Sequence, residues 1–341
     1  MPNRVKQILD NFDFGETFYL VDGDYRTPAQ GWSTSDATGP LDLYMQANPG
    51  YVFYTPGGAT GPSTPYSTDS AAIQAAIDAQ VDFRGDVLYF TPGAYLPTTA
   101  LVLNVPDSRW MGSRRRRGQS ATITATLTNQ FGPTGAADSM EFAHLRFVPL
   151  TAGILFGRAT AGCDNWWMHD FTYDARGITA STGTIFMKDT GACLNTTIED
   201  FTYLSNTAIG PLVQIAAASI TGRVQRFWHC HTANTLVTSL YETISGGAGA
   251  SGWTIGPGHV QIGAGGVITQ WGAQIDMTAA GTNATMLDIT ASVAGATAAL
   301  GWEAATGVAG EGDLVRCTVA LIAGGSATVG AGGGSAVFGT T

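Results

Sequence analysis

The chain has 341 residues, 45 of them glycine; 44% are hydrophobic, only 12% are charged, and the formal net charge is −10. An acidic chain lacks the basic face that general nucleic-acid binding needs, and this much apolar and aromatic content excludes a disordered polymer. Charged residues at about half the usual ~25% imply that much of the surface is covered by sister chains or a larger assembly.

Residues 1–66 alternate strand-like fragments, such as Tyr51-Val52-Phe53-Tyr54, with turn signals at Asn48-Pro49-Gly50 and Pro56-Gly57-Gly58. They lack the apolar periodicity of an independent core and read as an extended N-terminal arm ordered by lying on something else. The first 20 residues show no apolar leader and no cleavage site, and no stretch approaches the 18 apolar residues of a membrane span.

A short helix is predicted over about Ser70 to Gln80. Thr68 or Asp69 is its N-cap, and Ala72, Ile73, Ala76 and Ile77 form one apolar stripe. The strand Val87-Leu88-Tyr89-Phe90 follows, then Thr91-Pro92-Gly93-Ala94-Tyr95, a second strand from Leu101 to Val105, and a glycine-containing turn into Thr122-Ile123-Thr124. This order of elements, from about Asp69 to Ile123, resembles the opening of pectate-lyase-like parallel β-helix proteins, a beginning shared by many bacteriophage tailspikes. The resemblance implies a right-handed parallel β-helix, an all-β solenoid with one N-terminal capping helix.

An internal repeat leads independently to a solenoid. An apolar residue, two spacers, Phe or Leu, one spacer and an aromatic or His recur as Phe142–Phe147, Met168–Tyr173, Ile198–Tyr203 and Val224–His229. The starts lie 26, 30 and 26 residues apart (142 to 168, 168 to 198, 198 to 224). A period in the twenties means stacked coils, because one coil cannot bury its inner face alone. From about Gly272 the chain turns to short apolar runs between Gly/Ala/Ser stretches, which reads as a small C-terminal β domain or trimer tip. The expected division is therefore an arm over 1–66, a parallel β-helix over 67–271 and a C-terminal unit over 272–341.

In-register coils would stack equivalent residues about 4.8 Å apart. One row is then His144, Asp170, Asp200 and Arg226; its neighbour is Ala143, His169, Glu199 and Gln225. Asp170, Asp200 and Glu199 are the candidate catalytic acids, since paired carboxylates serve glycosidases and like-charge proximity raises one pKa. The plainer reading of the row is a charge-compensated outer ladder at a bend. Trp166, Trp167, Trp228, His144 and Arg226 are candidates for a ligand or subunit contact. Tyr173 and Tyr203 fall at inward positions, whereas Trp228 falls outward with Arg146, Thr172 and Thr202. Arg114-Arg115-Arg116-Arg117 is the one dense basic run, either a contact to an acidic partner or a solvated turn.

The cysteines Cys163, Cys193, Cys230 and Cys317 show no metal-like spacing, and Cys163 and Cys193 should stack in adjacent coils as thiols. Asp164 and Asp174 sit in loops that could approach calcium, but no calcium-binding repeat occurs; no metal and no cofactor are expected. The resemblance implies three functions. The first is a virion structural protein, a head decoration or short tail spike, assembled as a homotrimer on capsid or tail. The second is a glycan-cleaving spike, a hydrolase or lyase. The third is a non-catalytic adhesin for host surface polysaccharide.

Overall fold

The protein is a parallel β-solenoid, and among the described residues one short helix packs against its first coil. The computed structural model describes residues 69–258 except 79, 81, 91–92, 113–120, 127–129, 134–136, 159–162, 179–183, 192, 206–211, 216–221, 232–240 and 244–252. Outside that span it describes strand backbones only. The run Arg114–Arg117 and Cys317 lie outside the described residues.

Each coil contributes to a bent sheet with two limbs and to an opposite sheet. The first limb stacks Val87–Phe90, Arg109–Gly112, Glu141–Ala143, Trp167–His169 and the first halves of the long strands Thr196–Ser205 and Gly222–His231. The second limb stacks Gly93–Tyr95, Ala121–Ala125, Leu145–Pro149, Thr172–Asp174 and the second halves of the same long strands. The opposite sheet runs Leu101–Leu103, Phe131–Pro133, Ile154–Arg158, Ile185–Asp189 and Val213–Ile215. All of these pairings are parallel.

The strand backbones at both ends join the same ladders. Phe18–Val21 pairs in parallel with Val87–Phe90 and with Tyr51–Pro56. Ala273–Met277 and Leu300–Ala304 continue the opposite sheet, while Asn283–Leu287 and Ile289–Ala294 continue the two limbs. The last pair, Ala327–Ala331 with Gly334–Phe338, is antiparallel.

The predicted register is the observed one. Phe142 pairs with Met168, Met168 with Ile198 and Ile198 with Val224, and the column extends to Trp110 and Leu88. All of these side chains are fully buried. Residues two apart share a face, so inward residues alternate with outward ones along each limb. On the second limb the inward column is Tyr95, Ile123, Phe147, Tyr173 and Tyr203, as the repeat predicted for the two tyrosines. Aromatic rings of adjacent coils stack directly: Phe171 on Phe201 at 5.0 Å and 6°, and Phe201 on Phe227 at 5.7 Å and 26°.

The helix spans Asp69–Asp78 and buries Ile73, Ala76 and Ile77 against the first coil. Its polar face does a second task. Asp69 Oδ2 accepts the Leu96 amide at 2.5 Å, Ser70 Oγ those of Thr98 and Thr99 at 2.7 and 3.0 Å, and Gln74 Oε1 that of Val102 at 2.8 Å. These amides belong to the first coil, and the helix side chains satisfy donors that an open coil would leave unpaired. Asp69, expected as an N-cap, bonds the sheet edge through Oδ2.

Coil-to-coil spacing leaves no slack at Gly112. A Cβ there would lie 2.2 Å from the His144 carbonyl oxygen in the next coil. Gly112→Ala must push backbone apart, and a destabilisation of about 1–3 kcal/mol is expected from overpacking. A thermal melt of the variant within a degree of wild type would show that the coils can yield.

Candidate functional site

The bend between the limbs is made by residues in the left-handed region. His144, Asp170, Asp200 and Arg226 have φ of 57°, 51°, 50° and 48°. One such residue per coil turns the strand and aims its own side chain outward, and Asp and His tolerate this conformation better than most. The predicted row therefore exists as a corner ladder. A second corner is built the same way by Asp107, Ser139, Asn165 and Asn195, at φ of 61°, 59°, 58° and 57°. There the Asp138 carboxylate accepts the Asp164 amide at 2.8 Å, and Asp164 accepts the Leu194 amide at 2.7 Å. The Asp164 loop considered for calcium thus uses its carboxylate on backbone.

At the first corner the neighbouring side chains form one network. His169 bonds Asp170 through Nδ1 and Glu141 through Nε2, both at 2.9 Å. Ala143 pairs with His169 in the coil before, and its small side chain leaves the imidazole room to reach Glu141. Trp167, two residues back on the same strand face, stacks on the His169 ring at 4.0 Å and 24°. Its indole N–H donates to Glu199 Oε1 at 2.7 Å. Glu199 Oε2 accepts from Gln225 and from Arg226, the latter at 2.8 Å. Arg226 grips Asp200 with two bonds of 2.8 and 2.7 Å. His144 sets its ring edge against His169 at 5.9 Å.

The electrostatics follow from these partners. Burial works against the charged His169 ring, but the hydrogen bonds to Glu141 and Asp170 outweigh it and raise its pKa above the ordinary 6.5. The Arg226 guanidinium holds the Asp200 carboxyl below the usual carboxylate range. At Asp200 the shift runs opposite to the rise expected of stacked acids, because a cation stands at the end of the row. A general acid at neutral pH needs the opposite shift.

A raised His169 pKa is a statement about stability. The ion pairs stabilise the fold fully below about 6.5, the ordinary value, and the contribution is lost as pH rises through the higher folded-state value. The melting temperature of wild type should exceed that of His169→Gln most at pH 5–6, and the gap should shrink toward about pH 9. A gap independent of pH would show that His169 acts by packing alone.

Asp174, on the second limb, titrates with the other sign. Burial raises its pKa, but hydrogen bonds from Arg176 and Arg146 dominate and lower it to about 2. Its contribution is present above 3.8 and disappears as pH falls to about 2. The wild-type advantage over Asp174→Asn should therefore collapse in that acid window, as acid-titrated melts would show.

The candidate residues sort by face. Trp167 and Trp228 are exposed, at 42% and 51%. Asp170, Asp200, Glu199, His144 and Arg226 gather at one corner. Trp166 does not join them. It is fully buried, its indole N–H donates to the Ala137 carbonyl at 2.6 Å, and the Arg158 guanidinium lies 4.9 Å over its ring. The left-handed Asn165 just before it turns the side chain into the core, so the surface contact expected of Trp166 is ruled out. Sequence reasoning passed over Glu141, although in-register stacking places it on this outward face beside Trp167. It also passed over a core ion pair, Arg158 with Asp189, whose side chains are fully buried. Cys163 and Cys193 are buried thiols not joined as a disulfide, as expected; their mutual hydrogen bond and burial push the Cys193 thiol strongly up. Among the described residues no group of side chains is arranged to hold a metal ion, and no helix is long and apolar enough to cross a membrane.

No family model matches the chain, and no curated protein matches it. Among solved structures, the chain is similar to ORF18 of Geobacillus virus E2, with 12% identity and a TM-score of 0.43. The match covers 78% of this chain and 58% of that one, so the chain spans less than two thirds of that protein's length.

Proposed function

We propose that the protein is a non-catalytic virion structural protein, a decoration or short tail spike of a phage-like particle, that binds host surface glycan at the His169 corner. The observation that carries this reading is the state of Trp167. Its indole is exposed, yet fixed on one face by His169 and through its N–H by Glu199. An aromatic surface held rigid in water is preorganised for a ligand with apolar ring faces and hydroxyl donors, and the flanking carboxylates accept hydrogen bonds. The same contacts argue against acid–base work. Asp200 is clamped by Arg226, and Glu199 by Trp167, Gln225 and Arg226.

In this reading residues 1–66 attach the protein to capsid or tail, the coils project, residues 272–341 form the distal end, and three chains assemble side by side. The resemblance of residues 69–123 to the opening of phage β-helix proteins supports the particle role, as does the low charge of the chain.

The test is retention of purified protein on immobilised host surface polysaccharide, with released reducing sugar measured in the same sample. Retention without sugar release is expected. Trp167→Ala should weaken retention about thirtyfold or more, because truncating a central aromatic anchor costs ~2 kcal/mol or more. Sugar release abolished by Asp170→Asn would overturn the reading in favour of an enzyme.

A further inference from the structure

Among the described residues, Cys163 and Cys193 are the thiols that the solenoid brings together. They are equivalent residues of adjacent coils, related by the same step that pairs Trp167 with Thr197. Both side chains are fully buried, and their sulfurs share a hydrogen bond. In the coil before, the buried Ala137 holds the equivalent place, so no third sulfur competes from that side. Cys230 pairs in register with Leu204 on the outward face of the second limb.

Ladders on both sides of the two cysteines fix the distance between them. Before them, Arg158 and Asp189 are register partners joined by the buried ion pair. After them, the Asn165 amide donates to the Leu194 carbonyl at 2.8 Å, and Asp164 Oδ1 accepts the Leu194 amide at 2.7 Å. In-register neighbours in such a ladder stand about 4.8 Å apart at Cα. That lies inside the window of ~4.4–6.8 Å in which two cysteines can be bridged. With the sulfurs already in hydrogen-bond contact, bridging asks for side-chain rotation and no movement of backbone.

We infer that Cys163 and Cys193 form an oxidation site, at which a peroxide joins them in a disulfide that staples two adjacent coils. The first thiolate attacks a peroxide oxygen of hydrogen peroxide. The O–O bond breaks, the sulfur becomes a sulfenic acid, and the released hydroxide takes up the thiol proton as water. The second thiolate then attacks that sulfur, the S–S bond forms, and the sulfenic oxygen leaves as a second water with the second thiol proton. Two thiols lose two electrons and two protons, and one peroxide becomes two waters.

Burial governs the rate. The hydrogen bond from Cys163 and the loss of solvent push the Cys193 thiol up, against the pull of the Arg158 guanidinium. Thiolate therefore forms when the coil opens locally, and closure is slow. The same packing shields the finished bond from reductants. A pair of this kind stays reduced while the chain folds in a reducing compartment and closes outside one. The bridge closes a loop of about 30 residues, which restricts the unfolded chain and stabilises the folded one.

The experiment treats the folded full chain with hydrogen peroxide for several times the exchange lifetime of the Cys193 amide, then quenches, unfolds and alkylates it for peptide mass measurement. Wild type and Cys230→Ser should yield the Cys163 and Cys193 peptides joined and two hydrogens lighter than the separate pair. Cys193→Ser and Cys163→Ser should yield no such species. Treatment should raise the melting temperature of wild type by about 4 °C or more relative to either of these variants treated alike, which carry any methionine oxidation without the bridge. Dithiothreitol added after unfolding should abolish the difference on refolding. The inference is overturned if Cys163 and Cys193 still alkylate after treatment, end as sulfinic acids or pair with Cys317. A bridge that forms without raising the melting temperature overturns it equally.

Discussion

Removing either partner of the Arg158–Asp189 pair should be among the most damaging single changes in the protein. Both side chains are fully buried, and Arg158 Nε bonds Asp189 Oδ1 at 2.5 Å while Nη2 bonds Oδ2. Arg158 Nη1 also donates to the Cys163 carbonyl at 3.1 Å, and the guanidinium packs over Trp166. The two residues are register partners in adjacent coils of the opposite sheet. Asp189→Ala or Arg158→Ala leaves one charge in an apolar interior with no counter-ion, and a cost of about 3–5 kcal/mol is expected. The paired replacement Arg158→Met with Asp189→Leu should recover most of that loss, since two charges no longer need desolvation. Urea titrations of the four proteins measure both effects. A single variant within 1 kcal/mol of wild type would show that water or a rearranged partner reaches the site. A double variant as poor as the singles would show that the pair sets the register of the coils rather than merely neutralising itself.

Phe201→Ala should cost about as much by an unrelated route. Phe201 is 3% exposed and lies between Phe171 and Phe227, with Phe171 also stacked on Phe186 from the opposite sheet at 5.2 Å and 5°. Truncation opens a cavity in the middle of a continuous stack, and Phe→Ala in a core costs about 3–5 kcal/mol. The neighbouring coils cannot close the gap, because their hydrogen-bond ladders hold them at a fixed spacing. Lys188→Ala, outward on the opposite sheet, should stay within about 0.5 kcal/mol. The same stack ends at Gly258, where a Cβ would sit 2.4 Å from the Phe227 ring. Losing Phe201 should therefore loosen the coils on both sides, and hydrogen exchange should quicken at Phe171 and Phe227 amides before it does at Trp110. Uniform exchange along the solenoid would mean that the stack is not a local unit.

Repetition made much of this architecture legible from residues alone. A side chain in a parallel ladder meets its equivalent one coil away, so a spacing of 26 or 30 residues translates directly into contacts. That is why the Phe142, Met168, Ile198 and Val224 column and the inward Tyr173 and Tyr203 could be placed without coordinates. The His144, Asp170, Asp200 and Arg226 row was legible for the same reason, including its position at a bend. The helix before the first strand announced itself by its apolar stripe and by the order of elements that follows it.

Tertiary structure alone decided whatever depends on where side chains point between rows. Trp166 and Trp167 are adjacent in sequence, yet one is core and the other solvent-facing, and only the fold shows that alternation already holds at Trp166, directly after the left-handed corner at Asn165. The Arg158–Asp189 pair was invisible because charged residues on a solenoid are expected outside, and only the core geometry shows a counter-ion and an aromatic ring waiting for the guanidinium. The sign of the Asp200 pKa shift was likewise out of reach, since it turns on whether Asp170 or Arg226 lies nearer the carboxylate. Likewise, Asp69, Ser70 and Gln74 capping the first coil depend on the angle at which the helix crosses it. Stacking order is a one-dimensional property that a periodic sequence carries; directions and distances across the stack are three-dimensional, and in this chain they determine which surface is left to bind.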